Sequence, residues 1–194
     1  GSAKCTFGTG SFILYNTGNK ITYSKKGLLT TLAWELEGEK PVYALEGGAF
    51  NCGSVVQWLR DNLNMLTNSN EIEEIANSVS SAEGVEFVPA LTGLGAPYWK
   101  EDATGLIHGL TRKTTKAHFL RATLESLALQ NVDIIQVMQL ETKSKLKFLK
   151  TDGGAAKNNL LMQLQSDYLN TQVMRSKIIE TTALGVAYMA GLGA

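Results

Sequence analysis

Apolar and polar residues alternate in short runs along the first fifty positions, which is the pattern of half-buried β-strands. The alternation predicts a strand over 3–15, folded around a glycine turn, and further strands over 20–24, 28–36 and 41–45. Asn16-Thr17-Gly18-Asn19 is typical of a hairpin turn, because Asn and Gly tolerate a positive φ. Connections this short predict antiparallel pairing, so the first part of the chain should form an antiparallel meander.

After residue 49 the apolar period lengthens to three or four residues, as expected for helices. Ala49, Val55, Val56, Leu59 and Leu63 fit one helical face. The long stripe of Leu124, Ala128, Val132, Ile135 and Met138 predicts a helix over 115–140. The other predicted elements are strands over 85–89, 146–150 and 172–174, and helices over 70–79, 158–169 and 181–190. A meander followed by strand–helix units predicts an α/β fold, with helices flanking a mixed sheet.

The composition is that of one soluble globular domain covering residues 1–194. Apolar residues make up 44% of the chain and charged residues 19%, and no linker or internal repeat divides it. The 18 basic and 18 acidic residues balance to zero, which argues against a nucleic-acid partner. We find neither a membrane-spanning run nor a signal peptide, so we expect a cytoplasmic protein without a membrane partner.

The residue types most often found in catalytic or metal sites form no pattern here. Cys5 and Cys52 lack metal-ligand spacing and are predicted to be reduced thiols. His108 and His118 have no matching Asp, Ser or Cys, so we interpret both as structural. No pair of carboxylates stands out as a general acid and base. The chain starts without Met and ends inside a helical pattern, so we expect it to be a fragment of a longer protein.

Gly8-Thr9-Gly10 follows a predicted strand and is the first candidate for ligand binding. Two glycines leave backbone N–H groups unobstructed, and the Thr9 hydroxyl could reach a terminal phosphate. The alternative is a β-bulge or hairpin with no ligand. The turn is not a P-loop, because the chain contains no Gly-x-x-x-x-Gly-Lys-Ser/Thr.

Asp152-Gly153-Gly154 is a second glycine turn, placed between a predicted strand and a predicted helix. Bare backbone at a helix N-terminus favours phosphates or the sugar and base of a nucleotide. Asn158, one turn into the predicted helix, could reach the adenine or the ribose. The alternative is that Asp152 caps the helix and the glycines only turn the chain. A third glycine-rich segment ends in Tyr98 and Trp99, which we interpret as an edge of the core.

Several separated blocks of the chain, taken in order, resemble the C-terminal, nucleotide-binding domain of the FGGY family of carbohydrate kinases. The resemblance runs from the first residues to the last, and it is closest to the members that phosphorylate glycerol. The blocks include Phe7-Gly8-Thr9-Gly10, Gln57-Trp58-Leu59-Arg60-Asp61, Gly93-Leu94-Gly95-Ala96-Pro97-Tyr98-Trp99, Arg121-Ala122-Thr123-Leu124-Glu125-Ser126 and Asp152-Gly153-Gly154-Ala155.

This resemblance implies a ribonuclease-H-like, actin-like ATPase fold that binds ATP or ADP with Mg²⁺ in a cleft between two domains. It implies that Thr9 contacts the transferred phosphate and that Gly53 and Gln57 border the nucleotide. By the same resemblance Gly154 and Asn158 hold the adenosine. Phe12 would pack against the carbon skeleton of glycerol.

The family's catalytic aspartate and most of its substrate-binding residues belong to the missing N-terminal domain. The resemblance therefore implies no catalytic residue in this fragment, which we expect to be inactive alone. The full-length form is expected to be a homo-oligomer. Two alternatives stay open: the same domain of a pentulose or tetritol kinase, and a non-catalytic actin-like module that binds nucleotide or a protein.

Overall fold

The structure is a computed structural model that describes residues 2–193. Its strands are β1 (Ala3–Phe7), β2 (Ser11–Gly18), β3 (Leu29–Trp34), β4 (Val42–Ala49), β5 (Glu86–Val88), β6 (Leu106–His108), β7 (Phe148–Asp152) and β8 (Gln172–Arg175). Its helices are α1 (Gly53–Asp61), α2 (Glu71–Asn77), α3 (Lys116–Thr142), α4 (Asn159–Leu169) and α5 (Thr181–Leu192). A short 3₁₀ turn, Gly154–Lys157, precedes α4.

Six strands form one mixed sheet in the order β3-β4-β2-β1-β7-β8. The strands β3, β4, β2 and β1 pair antiparallel, whereas β1, β7 and β8 run parallel. The predicted mixed sheet is confirmed, but its antiparallel half is not a simple meander, because β4 and not β3 lies beside β2. Residues 19–28 contain no strand, so the predicted strand over 20–24 is wrong. Because this long loop separates β2 from β3, the two strands do not pair. The position next to β2 is occupied by β4.

One face of the sheet is covered by α3, and the core lies between them. Side chains alternate along β1 and β2, so that Cys5, Phe7, Ile13 and Tyr15 are fully buried. The predicted stripe on α3 is confirmed, since each of its five residues is buried. Folding removes the large apolar side chains of the sheet and of α3 from water. Their burial supplies the main driving force for folding.

The boundaries of several elements differ from the prediction. Ala49 ends β4 and does not belong to α1, and Leu63 lies beyond the end of α1 with 44% of its surface exposed. The predicted hairpin turn over 16–19 is wrong, because β2 continues through Asn16 and Thr17 to Gly18 and pairs with β4, with a bulge between Asn16 and Gly18. The sequence pattern did not predict β6, which has three residues and forms a separate antiparallel pair with β5.

His118 has a structural role, as predicted. Its Nδ1 accepts a hydrogen bond from the backbone N–H of Thr115, and Thr115 in turn caps the first turn of α3. Reciprocal contacts of this kind satisfy N–H groups that the start of a helix leaves without partners. Within residues 2–193, no helix combines the length and the apolar character needed to cross a membrane.

Candidate functional site

The turn Gly8-Thr9-Gly10 joins β1 to β2 and lies against the start of α1. The N–H of Gly53 donates to the Gly8 carbonyl at 2.9 Å, and the N–H groups of Cys52 and Ser54 donate to the Thr9 carbonyl at 2.9 and 3.1 Å. These N–H groups at the start of α1 are therefore satisfied by the chain itself. A Cβ on Gly53 would lie 2.7 Å from the Gly8 oxygen, so only glycine permits this approach.

The second turn, after β7, contains two glycines with different roles. Gly153 has a φ of +88°, and a Cβ there would lie 2.5 Å from the carbonyl oxygen of Phe7. The chain's own packing therefore requires glycine at this position. Gly154 differs, because a Cβ on it would meet nothing within 4 Å. Open space lies in front of Gly154, and the fold itself does not explain why the residue has no side chain.

Asp152 does not cap the following helix, so that part of the alternative is wrong. Its buried carboxylate forms an ion pair with Nζ of Lys4 at 2.8 Å and accepts a hydrogen bond from the hydroxyl of Thr181. Burial by itself would raise the pKa of Asp152, but hydrogen bonds from Lys4, Thr181 and Thr6 outweigh it and lower the pKa below its usual value. Asp152 thus ties β1 and β7 to the start of α5.

Asn158 is the N-cap of α4, whereas the sequence predicted that it would lie one turn inside the helix. Residues 154–157 form the 3₁₀ turn instead, so the α-helix begins later. The Asn158 side-chain oxygen accepts a hydrogen bond from the N–H of Leu161 at 2.8 Å. Because this bond assigns Oδ1 to the helix, Nδ2 is the group that Asn158 offers to a ligand, as a donor.

Two side chains from other elements hold the backbone around Asn158. The Arg175 guanidinium donates to the Lys157 carbonyl at 3.0 Å and to Oδ1 of Asn159 at 2.7 Å. From α2, Oε2 of Glu73 accepts the N–H of Asn159 at 3.0 Å. Contacts on both sides of Asn158 therefore fix the position of its backbone.

A cavity of about 360 Å³ lies between α1, α2, α3 and the start of α4. Such a volume is typical of small-molecule sites. It brings together four of the predicted site residues: Gly53, Gln57, Gly154 and Asn158. Its apolar wall is formed by Val56, Ile72, Leu124, Leu127, Ala155 and Leu161, and its other polar residues are Ser69, Asn70, Glu73 and Lys157.

The residues from α2 and the segment before it were not predicted as site residues. The sequence indicated a polar helix over 70–79, but nothing in its composition distinguished Glu73 from the neighbouring acidic residues. Glu73 reaches the cavity because α2 lies against α3 and α4, a long-range arrangement that no local motif reports.

The other two predicted residues lie outside the walls of this cavity. Thr9 is exposed at the tip of its turn, which contacts the cavity through Gly53. Phe12 lies between buried Ser11 and Ile13 on β2 and points to the opposite face of the sheet, where 49% of its surface is exposed. The Phe12 ring covers Gly48 on β4, its cross-strand partner.

Two further sequence interpretations concern aromatic residues and thiols. Tyr98 donates to Asp133 at 2.9 Å, and the Trp99 indole donates to the Gly27 carbonyl at 2.7 Å, so both anchor their loop to the body of the domain. Cys5 and Cys52 are free, as predicted, and both are buried. Among residues 2–193, no three His, Cys, Asp or Glu side chains gather into a group that could hold a metal ion.

Comparison with known proteins identifies the family of this chain. The family model of the FGGY carbohydrate kinases, C-terminal domain, matches residues 3–194. The glycerol kinase of Bdellovibrio bacteriovorus is 60% identical over 194 residues, which are 100% of this chain and 39% of that protein. The glycerol kinase of Saccharolobus islandicus is 56% identical over 193 residues, 100% of this chain and 38% of that protein. The chain therefore spans well under half the length of these relatives.

Solved structures agree with the predicted actin-like fold. The crystal structure of Plasmodium falciparum glycerol kinase with ADP matches with a TM-score of 0.90 and 43% identity, covering 98% of this chain and 38% of that one. The ligand-bound xylulose kinase from Lactobacillus acidophilus matches with a TM-score of 0.82 over 97% of this chain and 38% of its own. At 22% identity, the second match shows a shared fold alone.

Proposed function

This chain belongs to the FGGY family of carbohydrate kinases, as a C-terminal domain, and we propose that it is the ATP-binding half of a glycerol kinase. The complete enzyme would transfer the γ-phosphoryl group of ATP to glycerol and form sn-glycerol 3-phosphate. In this proposal residues 1–194 are one nucleotide-binding domain, and the rest of the protein supplies the opposite wall of the cleft.

The observation that carries the proposal is the open space in front of Gly154, beside the cavity that Asn158 lines. A glycine that the chain's own packing does not require is expected where a flat ligand lies directly on the backbone. Apolar walls from α1, α2 and α3 suit the faces of a purine, and polar groups at the rim suit its edge and the ribose. We therefore assign Gly154 and Asn158 to the adenosine.

The phosphates are assigned to the part of the cavity that α1 lines with Gly53 and Gln57. Hydrogen bonds join the start of α1 to the turn that carries the exposed Thr9, and we assign Thr9 to the transferred phosphate. Phe12, on the opposite face of the sheet, is assigned to the carbon skeleton of glycerol, because an apolar ring suits C–H groups between polar hydroxyls.

We propose that Mg²⁺ arrives as part of the substrate, bound to ATP. Mg²⁺ in kinase sites is held by phosphate oxygens, water and one or two carboxylates. The described residues provide no ready metal cluster, so carboxylate ligands would come from the rest of the protein. Catalysis by phosphoryl transfer depends on positioning and charge stabilisation from both walls of the cleft.

Two features favour glycerol over a pentulose or tetritol as the acceptor of the complete enzyme. The relatives that cover the whole chain at 56–60% identity are named glycerol kinases. The xylulose kinase shares the fold at only 22% identity. We further propose a cytoplasmic location, where buried thiols such as Cys5 and Cys52 stay reduced, and self-association of the full-length protein.

The test is isothermal titration of the chain with Mg-ADP, comparing the wild type with Gly154→Ala. The added methyl group meets no atom of the chain, so folding should be unchanged, but it would intrude on the adenosine. We expect binding to weaken by about tenfold or more, the effect of one misplaced group in a close-fitting site. Gly185→Ala is the matched control, because a Cβ there also meets nothing within 4 Å and the residue lies in α5.

Binding of ADP that Gly154→Ala weakens and Gly185→Ala keeps would support the assignment. Equal affinities for all three proteins would contradict it. An absence of ADP binding to the folded wild type would mean that this chain does not form a nucleotide half-site by itself.

A further inference from the structure

We propose that the β3 edge of the central sheet is the surface through which this chain forms a dimer, by antiparallel pairing with β3 of a second copy. The inference does not depend on the nucleotide cavity. It rests on the self-association that is part of the proposed function, and it names the surface and the pairing that self-association would use.

The strand β3 (Leu29–Trp34) is the last strand on one side of the six-stranded sheet and pairs with β4 alone. Within residues 2–193, no backbone–backbone hydrogen bond joins β3 to a segment on its other side. The preceding loop is bonded to the Thr30 side chain instead: the Thr30 hydroxyl donates to the Thr22 carbonyl at 2.8 Å and accepts the N–H of Ser24 at 3.2 Å. The outward backbone groups of β3 therefore remain available to another strand.

The composition of β3 does not protect this edge. Natural edge strands are commonly blocked by a charged residue, a proline or a bulge. The segment Leu29–Trp34 contains neither charge nor proline, and its register shift lies between Leu32 and Trp34, so that Leu29–Leu32 stays regular. The opposite edge, β8, has four residues and includes Arg175. The β3 edge is therefore the more open of the two.

Three large apolar side chains of β3 are in contact with water. The exposed fractions are 50% for Leu29, 51% for Leu32 and 42% for Trp34. Because side chains alternate along a strand, Leu29 and Leu32 lie on opposite faces of the sheet. A second strand beside β3 would thus cover apolar surface on both faces while it pairs the backbone groups.

The charges at the two ends of β3 identify a second copy of this chain as the partner. Lys25 and Lys26 precede the strand, and Glu35 and Glu37 follow it. All four side chains are exposed, and in the part of the chain that the structure describes none of them belongs to an ion pair. Antiparallel pairing of two copies places the positive end of each strand beside the negative end of the other, whereas parallel pairing would place like charges together.

A two-fold axis perpendicular to the sheet produces this arrangement. If the axis passes through Thr31, Lys25 of one copy lies next to Glu37 of the other. Lys26 and Glu35 meet in the same way, and each contact occurs twice. Such an interface is closed, because each copy uses the same surface, so pairing ends at a dimer with one continuous sheet.

The experiment is sedimentation equilibrium of the purified chain, with circular dichroism to verify that each variant is folded. We expect the wild type to dimerise, with a dissociation constant that rises with salt concentration. In Glu35→Lys/Glu37→Lys, lysines would face lysines at both ends of the paired strands. We expect the dissociation constant to rise about tenfold or more, since every substitution acts twice in a symmetric dimer. The opposite reversal, Lys25→Glu/Lys26→Glu, should weaken the dimer similarly.

The decisive variant combines the four substitutions. It exchanges the charges between the two ends of β3, so that opposite charges meet again, and it should recover most of the wild-type affinity. The matched control is Glu74→Lys/Glu101→Lys, which changes the net charge as much as the glutamate reversal does. Both of its residues are exposed and lie outside β3 and its flanking segments, so the dimer should be retained.

The outcomes separate the surface from self-association in general. Weakening by each reversal and recovery in the combined variant, with the control unchanged, would support antiparallel pairing of β3. A dimer that keeps its affinity in both reversals would overturn this surface but leave self-association intact. Weakening without recovery in the combined variant would also overturn the pairing. A monomeric wild type would overturn dimer formation by this chain, and none of these results bears on ADP binding.

Discussion

The hydroxyl of Ser11 donates a 2.6 Å hydrogen bond to Oδ1 of Asn131, and both side chains are fully buried. Asn131 in turn donates to Oε1 of Gln165 at 2.9 Å, and Gln165 donates to the Ala128 carbonyl at 3.3 Å. Ser11 directly follows the Thr9 turn, and Gln165 lies on α4, the helix that Asn158 caps. This buried network therefore connects the two ends of the proposed nucleotide site through α3.

Replacing Asn131 with Leu should destabilise the domain by about 2–4 kcal/mol, because it leaves the Ser11 hydroxyl and the Gln165 side-chain oxygen buried without their partner. The free energy of unfolding in urea would measure this loss. Gln136→Leu on the same helix is the control, since Gln136 is exposed, and its effect should stay within about 0.5 kcal/mol. Equal effects of the two substitutions would show that the network contributes little.

Gly153→Ala and Gly154→Ala should have opposite consequences although the residues are neighbours. Ala at 153 would require a strained positive φ and would place its Cβ 2.5 Å from the Phe7 oxygen. We expect a loss of about 2 kcal/mol or more in stability. The free energy of unfolding of Gly154→Ala should lie within about 0.5 kcal/mol of the wild-type value. Thermal unfolding of both variants checks the contrast, which fails if the Gly154 variant is the less stable one.

Asp152 should make the domain less stable in acid. Its pKa in the folded chain is below the value of about 3.9 in an unfolded chain, so the unfolded chain takes up the proton first as the pH falls. The stabilisation is complete above about pH 5 and is lost as the pH falls through 4 towards the folded-state pKa. Unfolding free energies of wild type and Asp152→Asn, measured from neutral to acid pH, should converge in acid.

The control for this pH dependence is Asp102→Asn, because Asp102 is exposed. That variant should keep the acid dependence of the wild type. If Asp152→Asn loses stability with falling pH as steeply as the wild type does, another carboxylate is responsible.

The two thiols should be unreactive in the folded chain. Burial raises the pKa of Cys52 to about 12, and burial together with the nearby Cys52 and Asp152 raises the pKa of Cys5 well above its usual range. At pH 8 neither residue is a thiolate, and neither side chain is accessible. Labelling by Ellman's reagent should be about a thousandfold or more slower than in denaturant, where two thiols per chain react. Rapid labelling of the native chain would contradict this.

The chain alone should not phosphorylate glycerol, because half of a cleft cannot align the acceptor with the γ-phosphate. The assay measures sn-glycerol 3-phosphate formed from Mg-ATP and glycerol, with a protein-free reaction as the blank. Product above the blank, in proportion to the amount of pure chain, would contradict the assignment of the catalytic residues to the rest of the protein.

Local patterns in the sequence were sufficient for much of the fold. The stripe from Leu124 to Met138 predicted α3, and the glycine turns at Gly8 and Gly153 were recognised because each follows a predicted strand. Resemblance to the family then indicated Gly53, Gln57, Gly154 and Asn158, which the structure brings to one cavity. Such predictions succeed because helix periodicity, turn chemistry and family motifs are properties of neighbouring residues.

Only the tertiary structure decided how these pieces meet. The position of β4 between β2 and β3, the Asp152–Lys4 ion pair and the contact of Glu73 with Asn159 join residues far apart in the chain. The bond from Leu161 also decided that Asn158 presents a donor, which the residue type leaves open. Contacts of this kind depend on how whole helices and strands pack against one another. The free energy that each contact contributes depends on how deeply its groups are buried, which is known only from the tertiary structure.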